Sequence, residues 1–315
     1  MSIVKDAGIL IYKYEKGKRH FLFLRKGKHF DLPKGHAKRN ETCEDAALRE
    51  TKEETGIEAK LVPHFEHDII FRYKIKGRQI TTHICVYLAQ VRQEEIKLSR
   101  EHSGFAWLTF EEIARSRSIF ENEKELVRHA DAYIRKKEAL ERVNKAYKKL
   151  TKTGRWRLSR NFVPGEGPAD AKIMLVGQAP GKNEDKEGRP FVGASGRLLD
   201  KLLKLAGIER RKAYITSVVQ FYPPGNRAPT KNEINICKAY LEKQISIISP
   251  KVIILLGSVA ANALAGKTNI MREHGKTKGR YFITLHPAAA VRLKRNLPLI
   301  ENDFRALRKL VEQNL

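Results

Sequence analysis

Seven positions at fixed intervals constrain this chain more than anything else in it: Gly35, Glu41, Arg49, Glu50, Glu53, Glu54 and Gly56, spaced G-x5-E-x7-R-E-x2-E-E-x-G. The apolar runs before them read as strands, FDLPKGH reads as a turn, residues 42–55 read as a helix, and Gly56 closes it. On a helix, Glu50, Glu53 and Glu54 stand at i, i+3 and i+4 and share one face. Like charges so placed repel unless a cation neutralises them, and hard carboxylate oxygens suit Mg2+ or Mn2+. A cation held there binds a diphosphate and acidifies an attacking water. Arg49, four before Glu53 and next to Glu50, is placed to orient a carboxylate. Three acids alone would read as a solvated face. Seven fixed positions after a strand and a glycine turn read as a metal site.

The pattern of the chain changes near its middle. Residues 3–12, 20–25, 67–74 and 79–91 alternate or run apolar as strands, and FAWLTFEEIARS (105–116) passes from strand to helix. From 121 to 150 the pattern is helical and highly charged; residues 135–160 hold eleven Lys and Arg against two Glu. Such a run is either a solvated helix face or a DNA-backbone contact. Beyond it, short apolar strands (172–177, 213–219, 251–257, 281–285) alternate with helices, the arrangement of a three-layer α/β domain with a largely parallel sheet. Two of these strands enter the loops GQAPG and HPAAA, and ligand sites in open α/β sheets collect at such strand ends. The length of 315 residues fits two domains.

Charge narrows the partner. The chain carries a net +26, with +9 up to residue 150 and +17 after it. A polyanion is the expected partner of the second half. No apolar run approaches the roughly 18 residues of a membrane span, and the N-terminus lacks a signal-peptide cleavage pattern. Cys43, Cys85 and Cys237 are too few and too scattered for a disulfide framework or a Cys-only metal site. The expectation is a cytoplasmic, nucleoid-associated protein with no membrane partner; its oligomeric state is not read from the sequence.

The segment GHAKRNETCEDAALRETKEETGI (Gly35–Ile57) is a complete Nudix box. Over residues 3–135 the chain resembles Nudix hydrolases, and LPKGH (32–36) and EEIKLSREHSGFAWLTFEEIA (94–114) are similar to the asymmetrical diadenosine tetraphosphate hydrolases. The resemblance implies an α/β/α sandwich and phosphoanhydride hydrolysis. It implies that the Gly35 carbonyl, Glu53 and Glu54 hold Mg2+ or Mn2+, with Glu50 as a ligand or the general base. The substrate would be a nucleoside polyphosphate: a dinucleoside polyphosphate or a damaged or non-canonical nucleoside triphosphate. Lys38-Arg39-Asn40 departs from that group, which has an acid and a Pro-Gly turn there. Phe65, Phe71 and Tyr73 are candidates for stacking a base, with plain strand packing as the alternative.

The second half carries VGQAPGKNEDKEGRPFVGASGRLLDKLL (176–203), PPGNRAPTKNE (223–233) and TLHPAAAVR (284–292), each pair separated by a strand. Together these resemble the family-four uracil-DNA glycosylases over residues 150–312. Such an enzyme takes a base out of the stack into a closed pocket and stabilises the charge left on it. By the resemblance Phe191 stacks on the base, His286 donates to its carbonyl, and Glu184 orients water or offsets charge on the sugar. Two base-binding positions depart from the family: Gln178 replaces the acid of G-E-A-P-G, and Ser217 replaces the Asn of I-T-N. A serine lacks the donor–acceptor pair of an amide. The iron–sulfur cluster of that family needs four cysteines; Cys237 is present, while Leu150, Thr153 and Phe221 stand at the other positions, so no cluster is expected. Arg227, Arg272 and Arg292 are candidates for DNA phosphate contacts.

The expected organisation is α/β and α+β in two domains. A Nudix α/β/α sandwich occupies 1–135, a basic helical linker 136–155, and a glycosylase-like three-layer α/β domain 156–315. The expected function joins phosphoanhydride hydrolysis to excision of uracil or another deaminated base from DNA. The alternative is a Nudix hydrolase tethered to DNA by a glycosylase fold without catalysis.

Overall fold

A computed structural model describes residues 2–75, 78–92, 95–152 and 158–314. The chain divides into two compact units, residues 1–134 and 135–315.

In the first unit, β1 (Ser2–Glu15) is the central strand. It pairs antiparallel with β2 (Lys18–Lys26), which carries β3 (His29–Asp31), and with the short β4 (Lys34–His36). The helix α1 (Cys43–Thr55) follows, then β5 (His67–Ile75), β6 (Arg78–Gln90), β7 (Gly104–Thr109), α2 (Phe110–Arg115) and α3 (Glu121–Lys148). β6 runs parallel to β1 and antiparallel to β5, and β7 closes on β2. The parallel pairing of β1 with β6 needs a long crossover, and α1 lies within it. Thr42 caps α1 by accepting the Asp45 N–H, and Gly56 ends it at φ +76°. Ala46 and Ala47 of α1 bury against Ala7, Ile9, Ile11 and Leu22 of the sheet.

The second unit is a five-stranded sheet among the described residues, ordered β11 (Lys276–Lys278), β12 (Tyr281–Thr284), β10 (Val252–Leu256), β8 (Ile173–Gly177), β9 (Ala213–Ser217). All pairings are parallel except that of the edge strand β11. Every residue of β8, β9 and β10 is buried, as expected of strands covered on both faces. The helices are α4 (Lys182–Glu187), α5 (Ala194–Leu205), α6 (Lys231–Ile248), α7 (Ser258–Leu264), α8 (Ile270–Glu273), α9 (Pro287–Arg292) and α10 (Leu297–Asn314). One core cluster joins Ile173, Leu175, Ile215 and Ile254 to Leu199, Leu202, Ile300 and Phe304 of α5 and α10. The doubly wound α/β arrangement expected from the alternating pattern is present.

The division between units falls inside α3, so residues 136–152 are part of the second unit rather than a free connection. Lys136 Nζ donates to Ile248 O, Asn144 accepts from Gln244, and Tyr147 is fully buried. Residues 153–155, the end of the expected linker, lie outside the described residues, as do Thr153 and Trp156.

Candidate active sites

In the first unit, β4 lies against the middle of α1. A Cβ on Gly35 would stand 2.2 Å from the Glu50 carboxyl carbon, so only glycine lets that carboxylate approach the strand. Arg49 organises the neighbourhood. Its Nε and Nη2 donate to the two oxygens of Glu41 (2.8 and 2.9 Å), Nη1 to Glu50 Oε1 (2.6 Å), and Nη2 also to His36 O (3.0 Å). The Arg49 hydrogen bonds, with the Lys38 N–H, hold Glu41 down to about 2. Glu54 is largely buried, and burial pushes it up to about 7 although the Lys34 N–H opposes; the Glu50 charge adds to the rise. Segment 95–104 closes this end of the helix: Lys97 N–H and Ser99 N–H satisfy the terminal carbonyls of Thr55 and Glu54.

Glu53 projects outward, 58% exposed, with Oε2 3.5 Å from Arg49 Nη1. Glu50, Glu53 and Glu54 therefore share a face but do not all converge: Glu50 turns onto Arg49 and Glu54 onto the Lys34 N–H. The oxygen-only donor set is one that suits a hard divalent cation, which when bound would offset the repulsion among these acids.

Of the aromatic candidates, Phe65 is core, edge-on to Tyr133 at 5.1 Å. The side chain of Tyr73 lies outside the described residues. Phe71 lines a cavity of about 110 Å3 with Asp31, Lys34, Phe120 and Glu123. Buried Glu123 is held above the usual carboxylate range by burial and by its hydrogen bond to Asp31. The sequence reading missed this acid pair, since Asp31 and Glu123 are 92 residues apart and Glu123 reads as one charge among many on α3.

In the second unit, a cavity of about 460 Å3 opens at the carboxyl ends of β8 and β9. Gln178, Glu184, Phe191, Ser217, Arg227, His286 and Arg292 all line it. Phe191 adopts φ +55°, rare for a residue with a side chain. Two glycines make room for it: a Cβ on Gly196 would fall 1.8 Å from Phe191 O, and one on Gly177 would fall 2.7 Å from Phe191 Cζ. The ring stacks on that of His286, centroids 5.6 Å apart and 26° between planes. His286 caps α9, its Nδ1 accepting the Ala288 N–H at 3.1 Å. Nδ1 being an acceptor, the neutral ring carries its proton on Nε2. Burial, with the Arg292 charge adding, lowers the His286 pKa to about 4 while Glu184 opposes. Ser217 ends β9, opposite Gly177 of β8. Among the described residues, neither Gln178 nor Ser217 commits its side chain to a hydrogen bond, so both are open to a ligand.

Three expected residues are engaged or placed in ways the sequence did not indicate. The buried Glu184 accepts from Val192 N–H (3.0 Å) and Gly193 N–H (2.8 Å) at Oε1 and from Gly181 N–H (3.1 Å) at Oε2. It fastens the loop that carries Phe191 and keeps one lone pair on Oε2. Arg227 is held by Glu233 through two hydrogen bonds (2.8 and 2.7 Å), so its charge is already matched. Arg272, on α8, is exposed and does not line the cavity. Arg292 lines it without an acidic partner among the described residues.

Of the positions that the resemblance sets against cluster cysteines, Phe221 and Cys237 are described here and Thr153 lies outside the described residues. Phe221 is fully buried, packed on Tyr147 (5.2 Å) and Phe162 (5.3 Å), and Tyr240 stacks on Tyr147 at 4.5 Å. Cys237 is buried, and burial raises its thiol pKa to about 11. A single thiol against an aromatic layer does not match the donor set of an iron–sulfur cluster.

Comparison with known proteins identifies the two parts of the chain. The uracil DNA glycosylase superfamily profile matches residues 164–312, and the NUDIX domain profile matches residues 4–130. The type-4 uracil-DNA glycosylase of Sulfurisphaera tokodaii is 41% identical over 187 residues, covering 55% of this chain and 85% of that protein. The chain belongs to the type-4 uracil-DNA glycosylase family. The type-4 enzyme of Saccharolobus solfataricus is 40% identical over 176 residues, 51% of this chain and 82% of its own length. Ahead of the glycosylase part stands a Nudix domain. A crystal structure of a C. elegans Ap4A hydrolase binary complex shares 30% identity with this chain, at a TM-score of 0.36, covering 42% of this chain and 97% of that one.

Proposed function

We propose that the chain is bifunctional: a divalent-metal-dependent nucleoside polyphosphate hydrolase in residues 1–135, and a DNA glycosylase for uracil or another deaminated base in residues 156–315. The observation that carries the glycosylase reading is the cavity where Phe191 and a neutral His286 stand stacked beside two uncommitted polar side chains, Gln178 and Ser217. An extruded base enters it and stacks on Phe191. As the C1′–N bond breaks, its electron pair passes to the base, and His286 Nε2–H donates to the developing oxyanion. Water then adds to C1′. Glu184 acts here as a positioning residue, holding the backbone of residues 191–193, and Arg292 contacts a phosphate at the mouth.

In the Nudix part, Gly35 O, Glu50, Glu53 and Glu54 would hold Mg2+ or Mn2+, while Arg49 orients Glu50. When bound, that ion neutralises phosphate charge and activates water. Substrate choice between a dinucleoside polyphosphate and a deaminated triphosphate is tested by Mg2+-dependent turnover of each, with Glu53→Gln as control. Preference for the deaminated triphosphate supports a shared repair role. Efficient cleavage of diadenosine tetraphosphate alone contradicts it.

One observation favours a second reading, a Nudix enzyme tethered to DNA. Both oxygens of Glu184 are engaged by backbone N–H groups, leaving little of the carboxylate for chemistry. The two readings separate on His286→Ala. As a glycosylase, the variant loses excision and keeps DNA affinity; as a tether, there is no excision to lose. The basic charge and the absence, among the described residues, of a helix long and apolar enough to cross a membrane fit work on DNA in the cytoplasm.

A further inference from the structure

The first residue of α1 lies at the opposite end of that helix from Glu54, where it meets the sheet. Cys43 packs against the apolar cluster beneath α1, and so does Tyr87 of β6. Side chains alternate along a strand, so His83 and Cys85 share the Tyr87 face of β6. Across the ladder, Asp68 of β5 is the direct partner of Cys85. Asp68, His83 and Cys85 thus gather on one face of the β5–β6 ladder, and Cys43 of α1 reaches them through Cys85. Cys43 Sγ and Cys85 Sγ are 3.0 Å apart, and His83 Nε2 is 3.0 Å from Asp68 Oδ1. One ligand atom each from Asp68, His83 and Cys85 lie within 4.8 Å of one another.

Both cysteines are free, at a separation well beyond the roughly 2.05 Å of a disulfide. A tetrahedral ion with bonds of about 2.0–2.3 Å draws its ligand atoms to spacings of this order. We propose that Cys43, Cys85, His83 and Asp68 form a transition-metal site for a Zn2+-class ion, separate from the acidic face of α1. Sulfur and nitrogen donors select a softer cation than the oxygen-only Nudix set, so the two sites do not compete for one metal. Glu50 is seven residues further on, about 10 Å along the helix axis. With four protein ligands the site is structural: it pins the start of α1 to β5 and β6, and through the helix fixes the origin of Glu50, Glu53 and Glu54.

Co2+ alone is the probe, titrated into the full chain in reduced, metal-free form. The expected result is a thiolate-to-cobalt charge-transfer band that saturates at one ion per chain and is displaced by Zn2+. Cys43→Ser removes the band. Asp68→Asn, whose exposed side chain carries no packing, weakens Co2+ binding by about 10–100-fold. Glu53→Gln leaves the band unchanged. A reduced protein without a sulfur–cobalt band overturns the proposal, as does a band that survives in the Cys43→Ser/Cys85→Ser double variant. Recovery of Cys43 and Cys85 as a disulfide under reducing conditions also overturns it.

Discussion

At the residue scale, His286 shows how burial and one backbone hydrogen bond set chemistry. Its Nδ1 is occupied by the Ala288 N–H, and burial keeps the ring neutral down to about pH 4. The Nε2–H that the proposed mechanism uses is thus present across the physiological range without a proton taken from solvent. The excision rate is expected to run flat from about pH 8 to about pH 5, with no inflection near the ordinary histidine value of 6.5. An inflection near 6.5 that disappears in His286→Asn contradicts this. The stability consequence has a definite sign. A histidine whose folded pKa is depressed lets the unfolded chain take up a proton first, so its effect is absent above about 6.5 and erodes stability as pH falls toward about 4. Gly196 is the second such residue. A methyl there meets Phe191 O at 1.8 Å, where Phe191 already holds a positive φ. Gly196→Ala is expected to lower unfolding free energy by about 1–3 kcal/mol in urea titrations and to weaken base stacking; unchanged stability would show that the loop yields freely.

At the scale of elements, the aromatic layer of Tyr147, Phe162, Phe221 and Tyr240 fills the region of the aligned cysteine positions. Phe221→Ala is expected to cost about 3–5 kcal/mol, read from the shift of the urea midpoint. A loss under about 1 kcal/mol would mean the layer closes around the gap and is not structural. The strands of this unit were legible because all-apolar runs such as VIILL have no other use in a chain this charged. α1 was legible because its spacing, cap and closing glycine agree. The short helix α4 was not, since KNEDKE has no apolar periodicity; it forms because Glu184 at its third position accepts the Gly181 N–H. The second half of α3 read as a basic linker, either a solvated face or a DNA-backbone contact, because its charges hide Asn144, which bonds Gln244, and the buried Tyr147. The loops at strand ends marked where a ligand site would lie, while the residues Gln178, Phe191, Ser217 and His286 came from the resemblance to the family-four glycosylases. The pairing of Arg227 with Glu233 could not be read, because it depends on the positive φ of Gly225 and Asn226 between two prolines and the helix.

At the scale of the whole molecule, two families of hydrolase share one basic chain. The account makes their sites separable: Glu53→Gln is expected to abolish Mg2+-dependent hydrolysis and leave excision intact, and His286→Ala the reverse. Loss of both activities in either folded variant would mean that the sites depend on each other. The net charge of +26 makes DNA affinity steeply salt-dependent, with about 0.9 lost from the log–log slope per phosphate neutralised. Arg292→Ala is expected to flatten that slope by about one; an unchanged slope would remove Arg292 from the interface. The most direct test of the central claim is excision from a labelled oligonucleotide carrying uracil, with hypoxanthine in parallel, in the presence of EDTA. Chelation is expected to silence the proposed Nudix site, whereas a hydrolytic glycosylase needs no metal. The account predicts abasic product from the wild-type chain and none from His286→Ala. Tight DNA binding with no abasic product from either base would contradict it.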